Sequence, residues 1–444
     1  MKKRGVLVLL ILVVLLLVVS CEVDKSDVDV EIEPMQKRSD SPLPKIEDNI
    51  QNNIKKNEYA GQNVKQVKET VSPKKEIAVT KELPVTENVQ EKELSVAEKH
   101  WKRVFDKAFA EVDCPKPRDP MTLPDGYYRG PMFDAHIHMQ SLPDGEPGFE
   151  DSYYTGSNIG IKRSLNEWVC MLDAENTSGA LVFFAVWEPI VNESVELVKL
   201  AMGKYPGRFI PFIMPPENDG SPGGSSTVDA KKLDVMLNVH PGLFRGYGEI
   251  GLYGHPGGAP PLPPDSARLQ EIYPVIRKHK LVVYFHLGEG QKEAFEKTLS
   301  ANPDITFIFH GDQLVDCGTC DKTLNDVADI LEKHPNVYYG VDELYGDVLL
   351  LNEEHTKKEF IAYFKNKETL LKEDLETWKE FIEKHPNQVL WDTDRGVGSV
   401  WSTDPEVAVV LNDYSRAFIG RLDKDVQEKF AYKNAQGLFA EAKK

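Results

Sequence analysis

The sequence predicts a (β/α)8 barrel preceded by a disordered tether. Three observations predict it. Eight short, β-rich apolar runs recur from about residue 126 onward, each followed by a polar loop and an amphipathic helical stretch. Metal-competent side chains stand at the C-terminal ends of those runs. Residues 22 to about 95 carry no aromatic residue except Tyr59 and no long apolar run.

The runs are 131–138, 179–187, 208–214, 244–251, 281–287, 305–310, 336–341 and 388–394. Continuous apolar runs suit parallel strands buried on both faces. Eight of them alternating with helices is the count of a closed barrel, with a doubly wound open sheet as the alternative. Between the fourth and fifth runs, Leu269, Ile272, Tyr273 and Ile276 recur at helical spacing, and Pro274 is expected to kink or shift that helix. The barrel is assigned to 126–444, with 96–125 as a lead-in. A long insert at 345–385, helical by pattern, lies between strands seven and eight and is positioned to act as a lid.

The N-terminus sets the expected location. Lys2, Lys3 and Arg4 precede an unbroken aliphatic run from Val6 to Val19, shorter than the roughly 20 residues of a membrane-spanning helix and in proportion to a signal-peptide core. It ends in Leu17-Val18-Val19-Ser20-Cys21, which resembles a bacterial-type lipobox. Residues 1–21 are therefore expected to be a lipoprotein-type leader with Cys21 lipidated; an uncleaved anchor is the alternative. Either reading exports the body and ties it to the membrane. The Lys- and Glu-rich segment 22–95 cannot bury enough surface to offset its chain entropy and is expected to be a disordered linker.

The chain has 444 residues and a formal charge of −18, from 53 basic against 71 acidic side chains. That balance argues against a general nucleic-acid-binding surface. Of the four cysteines after Cys21, Cys317 and Cys320 form a lone C-x-x-C, weak as a zinc motif and suited to a local disulfide in an oxidising compartment. Cys114 and Cys170 are open between a bridge and two free thiols.

The most informative segment is Phe133-Asp134-Ala135-His136-Ile137-His138-Met139. Residues two apart on a strand point the same way, so His136 and His138 converge as a divalent-metal half-site. Glu249, His286, His310 and Asp394 stand at the ends of runs four, five, six and eight. In a barrel of this kind all six project into one mouth at the C-terminal face. Glu249 has a competing assignment as a salt-bridge partner of Arg245. Trp187 and Trp391 are strand-end aromatics, read as packing residues, and His255 belongs to a Gly/Pro-rich loop.

Together, His136-x-His138, His286, His310-Gly311-Asp312, Leu390-Trp391-Asp392-Thr393-Asp394-Arg395 and the late Tyr432-Lys433-Asn434-Ala435-Gln436-Gly437-Leu438-Phe439 resemble the amidohydrolase superfamily, and most closely its amidohydrolase-related branch, over about 126–440. The resemblance implies that His136, His138, His286 and Asp394 ligate a divalent metal, expected to be zinc, as one or two ions. It implies that His310 is a second-metal ligand or polarises the substrate, and that Asp394 is the general base. Asp392 stands where the branch usually has a small residue, and either faces away or tunes Asp394. Gly248-Glu249-Ile250-Gly251-Leu252 is similar to the glutamate strand of TatD-type nucleases, and a bridging Glu249 would admit two metals.

The expected function is a metal-dependent hydrolase of an amide, lactone or ester in a small-molecule substrate. A metal-dependent decarboxylase is the alternative, needing a cation such as Arg245 or Arg395 to hold a substrate carboxylate. A phosphodiesterase and a non-catalytic, ligand-binding surface lipoprotein are the remaining readings.

Overall fold

The computed structural model describes residues 94–114, 116–139, 163–254, 258–311, 324–342, 344, 356–364, 367–396 and 404–439. The leader, Cys21, the linker up to residue 93, His255, Asp312, Cys317 and Cys320 lie outside the described residues. The described chain falls in one unit, Gln90–Lys444.

Eight strands pair in sequence order, all parallel: β1 (Met132–His138), β2 (Thr177–Ala185), β3 (Phe209–Met214), β4 (Gly246–Gly251), β5 (Val282–His286), β6 (Phe307–His310), β7 (Val337–Val341) and β8 (Val389–Trp391). The circle closes where the His138 backbone N–H donates to the Arg395 carbonyl at 2.7 Å, beside a parallel bridge from Ile137 to Arg395. This is a (β/α)8 barrel.

Helices α1 (Val96–Ala108), α2 (Leu165–Glu175), α3 (Val191–Lys204), α4 (Ala230–Val239), α5 (Ala267–His279), α6 (Lys292–Ala301), α7 (Asn325–Lys333), α8 (Lys357–Tyr363), α9 (Glu368–Lys384) and α10 (Pro405–Ile419) follow in chain order. The apolar faces of α2 to α10 meet the outward-facing strand residues in one core that includes Leu172, Val198, Leu269, Ile276, Val283 and Phe309. Pro274 sits inside a continuous α5 rather than ending it. In the 345–385 insert, Trp378 and Phe381 of α9 lie against Tyr339 of β7, with ring centroids 6.3 and 5.9 Å apart. Phe364, next after α8, meets Tyr414 of α10. The described part of the insert is thus wall helix on the outside of the barrel, not a lid.

The lead-in is fixed to the barrel. Ser95 and Glu98 form a capping box that starts α1. Beyond it, Cys114 is disulfide-bonded to Cys170 of α2, with Cα atoms 5.1 Å apart. Beside the bridge, the Asn166 amide donates to the Phe109 and Ala110 carbonyls. At the N-terminal end of the barrel a helical turn at Lys429–Lys433 continues into Asn434–Gly437. Asn434 there donates to the Val389 carbonyl, and Phe439 meets Phe212 edge-on.

Two strands break simple alternation, and both breaks serve the mouth. On β1, Phe133 and Ala135 face the barrel interior while Met132, Ile137 and Met139 face the helices. Interior phase therefore shifts between Ala135 and His136, where the β1–β2 register is irregular, and His136 and His138 turn inward together. On β4, Tyr247 and Ile250 both face outward with a register shift between them, which turns Glu249 to the interior. Such irregularities re-aim side chains at functional sites. Gly248 has φ +141°, and a Cβ there would lie 2.5 Å from the Tyr284 carbonyl oxygen, so only glycine fits.

Candidate metal centre

Six side chains from four strands and one strand-end turn meet at the C-terminal mouth. His136 Nε2 lies 3.0 Å from His138 Nε2, 3.3 Å from Glu249 Oε2 and 3.1 Å from Asp394 Oδ1. His138 Nε2 lies 3.0 Å from Glu249 Oε2 and 3.1 Å from Asp394 Oδ1. Five of the six separations among these four donor atoms thus lie at 3.0–3.3 Å, a spacing that suits ligands about 2 Å from one zinc ion. On the other side, Glu249 Oε1 lies 2.9 Å from His286 Nδ1 and 2.9 Å from His310 Nε2. The two oxygens of Glu249 thus serve two different donor groups.

Three of the four imidazoles have a partner on Nδ1, the nitrogen away from the cluster. Nδ1 of His136 lies 3.1 Å from the Tyr284 hydroxyl, Nδ1 of His138 faces the Met214 thioether at 3.2 Å, and Nδ1 of His310 donates to Asp342 at 2.6 Å. A partner on one ring nitrogen decides which nitrogen is free to ligate. The chemistry of the donor set, imidazoles and carboxylates, suits a first-row divalent ion.

Electrostatics point the same way. Burial holds the His136 imidazole below its ordinary range. Burial also opposes the charge on His138, but hydrogen bonds to Asp394 and Glu249 outweigh it and raise its pKa to about 9. His310 is raised well above its usual value because Asp342 and Glu249 outweigh its burial. Glu249 and Asp394 are held low in spite of burial, by the histidines around them. The cluster draws positive charge, as protons or as cations.

Exposure separates the groups. The side chains of His136 and His310 are fully buried, whereas that of Asp394 is 35% exposed. Asp394 lies past the end of β8 with φ +45°, a left-handed conformation that asparagine and aspartate adopt more readily than other residues. It turns the carboxylate toward both the cluster and the mouth.

Residues 134–440 match the Amidohydrolase family. The chain belongs to the amidohydrolase family. No curated protein matches it. Solved structures similar to it include a probable 2-pyrone-4,6-dicarboxylic acid hydrolase from Acinetobacter baumannii, 12% identical over 70% of this chain and 99% of that one, TM-score 0.42. An amidohydrolase from Burkholderia multivorans with bound zinc is 11% identical over 70% and 99%, TM-score 0.43. A dihydroxybenzoic acid decarboxylase from Polaromonas sp. JS666 with bound manganese is 13% identical over 70% and 97%, TM-score 0.38.

Within this amidohydrolase barrel, two arginines assigned to the mouth from sequence lie elsewhere. Arg395 is buried and spans Glu175 at 2.5 Å and Asp134 at 3.0 Å on the helix side of the wall. Arg245 precedes β4, at the opposite end of the barrel, where it donates to the Phe439 carbonyl and lies over the Phe439 ring. It does not pair with Glu249. Trp187 donates to the Met214 carbonyl beside the mouth, and Trp391 faces the helices. Asp392 does not face away: it points into the barrel and accepts from the Tyr284 hydroxyl at 3.0 Å, with its pKa raised well above the carboxylate range, first by burial and then by Asp342.

Two residues escaped the sequence reading. Asp342, next after β7, is an acid at a strand end, the same signal that marked Glu249 and Asp394. Tyr284 is two residues before His286 and therefore on the same inward face, but nothing in its composition distinguishes it from a core tyrosine.

Proposed function

We propose that this chain is a metal-dependent hydrolase acting on an amide, lactone or ester in a small-molecule substrate. The observation that carries the reading is Glu249, which offers Oε2 to His136 and His138 and Oε1 to His286 and His310. His136, His138, Asp394 and Glu249 would hold one divalent ion, zinc by donor type, and Glu249, His286 and His310 would hold a second. When bound, such ions supply Lewis acidity at the attacked carbonyl and lower the pKa of an adjacent water.

The protein's own groups do the rest. Asp394, the most exposed carboxylate of the cluster, accepts the proton of the attacking water and delivers it to the leaving group. His310 has both ring nitrogens engaged and no exposed surface, which supports a ligand role over contact with substrate. Met214 and Trp187 give one side of the mouth an apolar wall.

Decarboxylation is the weaker reading, because neither strand-end guanidinium assigned to hold a substrate carboxylate reaches the mouth. The exported, lipid-tethered setting rests on residues 1–21, and the Cys114–Cys170 bridge suits an oxidising compartment.

Asp394→Asn tests the assignment. It keeps a donor oxygen, so metal content is expected to persist, while turnover of the amide, lactone or ester that the parent cleaves falls by about 10²–10⁴. Turnover equal to the parent would remove Asp394 from its role. Release of CO2 without a hydrolysis product would replace the hydrolase by a decarboxylase, and bound metal without turnover on any of these bonds would leave a binding protein.

A further inference from the structure

We propose that Asp392 is a positioning residue for the metal centre, acting on His136 through Tyr284. The inference rests on the reading of His136 as a metal ligand. The His136 ring is fully buried and is flanked edge-on by Phe183, Tyr284 and His310, with centroids 4.7, 5.0 and 4.4 Å away. Packing of this kind fixes where the ring lies. It does not decide which ring nitrogen carries the proton.

The hydrogen-bond chain decides that. Nε2 faces the three other donor atoms of its half of the cluster at 3.0–3.3 Å, so it can ligate only with its lone pair free. The proton of the neutral ring must then sit on Nδ1 and go to the Tyr284 hydroxyl at 3.1 Å. Once the phenol oxygen accepts from His136, its own proton is directed to Asp392 Oδ2 at 3.0 Å. The chain therefore runs one way, imidazole to phenol to Asp392 Oδ2, which accepts whether the group is ionised or carries its own proton on Oδ1. Remove the terminal acceptor and the phenol is free to donate to Nδ1 instead, which moves the imidazole proton to Nε2 and into the face that should hold the ion.

The barrel makes room for this chain. On β7 the inward position level with it is Gly340, where a Cβ would lie 2.0 Å from Asp392 Oδ2 and 2.8 Å from the Tyr284 hydroxyl oxygen. Three neighbouring strand positions, from β5 and β7 and just past β8, are thus matched to one purpose: a tyrosine that reaches across, an aspartate that receives, and a glycine that leaves the space. Asp392 has no solvent-exposed surface and lies behind the ligand layer, so it acts on His136 and not on substrate. This accounts for a carboxylate two residues before Asp394 that the metal centre itself does not use.

The test combines Zn(II) affinity, by chelator competition on the full chain, with ¹⁵N NMR of the metal-free protein labelled at histidine, His136 being assigned by the signal lost in His136→Gln. The parent is expected to show His136 as the Nδ1–H tautomer. Tyr284→Phe keeps the ring and removes the relay; it is expected to shift His136 toward the Nε2–H tautomer and to weaken Zn(II) binding in the His136–His138 half by about 10–100-fold. Asp392→Ala is expected to do the same, while Asp392→Asn, whose carboxamide oxygen still accepts, restores affinity to within about threefold of the parent on the same scale. Tyr284→Phe with the parent's tautomer and affinity overturns the proposal, even where Asp392→Ala fails to fold. A parent that binds no Zn(II) overturns the hydrolase reading instead, and the tautomer shift then decides the relay by itself.

Discussion

Nδ1 of His310 donates to Oδ2 of Asp342 across 2.6 Å, and that contact leaves Nε2 as the face His310 turns to Glu249. Asp342 therefore orients His310, a proposed ligand of the second half of the cluster. Asp342→Ala is expected to weaken binding of one ion by about 10–100-fold, the usual cost of losing such a support, and to leave the ion held by His136 and His138 in place. Stepwise chelator competition, read as two separate affinities, checks it; equal weakening of both ions would show that Asp342 does not act through His310.

Metal affinity should depend steeply on pH. In the metal-free protein the His138 pKa is raised from its ordinary 6.5 to about 9, so below pH 9 a cation must displace a proton. Affinity is expected to rise by about tenfold per pH unit from pH 7 toward 9 for each proton displaced, and to flatten above it. The same shift gives the metal-free fold a stabilisation that is fully present below pH 6.5 and lost as pH rises through about 9. Zn(II) competition titrations across this range measure the first effect, and an affinity independent of pH would contradict the charge state assigned to the cluster.

The disulfide gives a stability prediction separate from the site. Cys114 and Cys170 are 56 residues apart in sequence, and closing a loop of that length restricts the unfolded chain by about 4 kcal/mol in the chain-entropy description. Cys114→Ser is expected to lower unfolding free energy by about 2–4 kcal/mol and to leave metal affinity unchanged. Urea denaturation with and without reductant reads it: reductant should destabilise the parent and not the variant.

Gly248 sets the aim of Glu249. With φ +141° and the Tyr284 carbonyl oxygen 2.5 Å from any Cβ, Gly248→Ala forces the strand aside at the residue before the bridge. A loss of about 1–3 kcal/mol in stability is expected together with the loss of one bound ion. Denaturation and metal content measured on the same preparation check both, and full metal content in the variant would show that Glu249 does not depend on this turn.

Much of the barrel was legible because burial on both faces writes parallel strands as unbroken apolar runs. The run at 305–310 shows this: Phe307, Ile308 and Phe309 are all buried, two toward the helices and one toward the interior. The histidine and carboxylate positions were legible for a related reason, since a polar residue closing such a run has only the mouth to face. What alternation could not supply was phase. His136 and Glu249 point inward because β1 and β4 each slip by a residue, and Arg395 points outward from a turn whose preceding residue is left-handed. Arg245 was misplaced for a simpler reason: four residues upstream of Glu249 on a strand is about 13 Å, which carries it to the other end of the barrel. Among the described residues of 345–385, wall helix stands where a lid was expected, because an amphipathic pattern reports that a helix has an apolar face, and not which surface that face covers.

The most direct measurement is the metal content of the purified chain beside its Glu249→Ala variant, after reconstitution with zinc and removal of loosely held ions. About two ions per chain are expected in the parent and at most one in the variant, since Glu249 offers one oxygen to each half of the cluster. A parent that retains no metal, or a variant that retains as much as the parent, would contradict it.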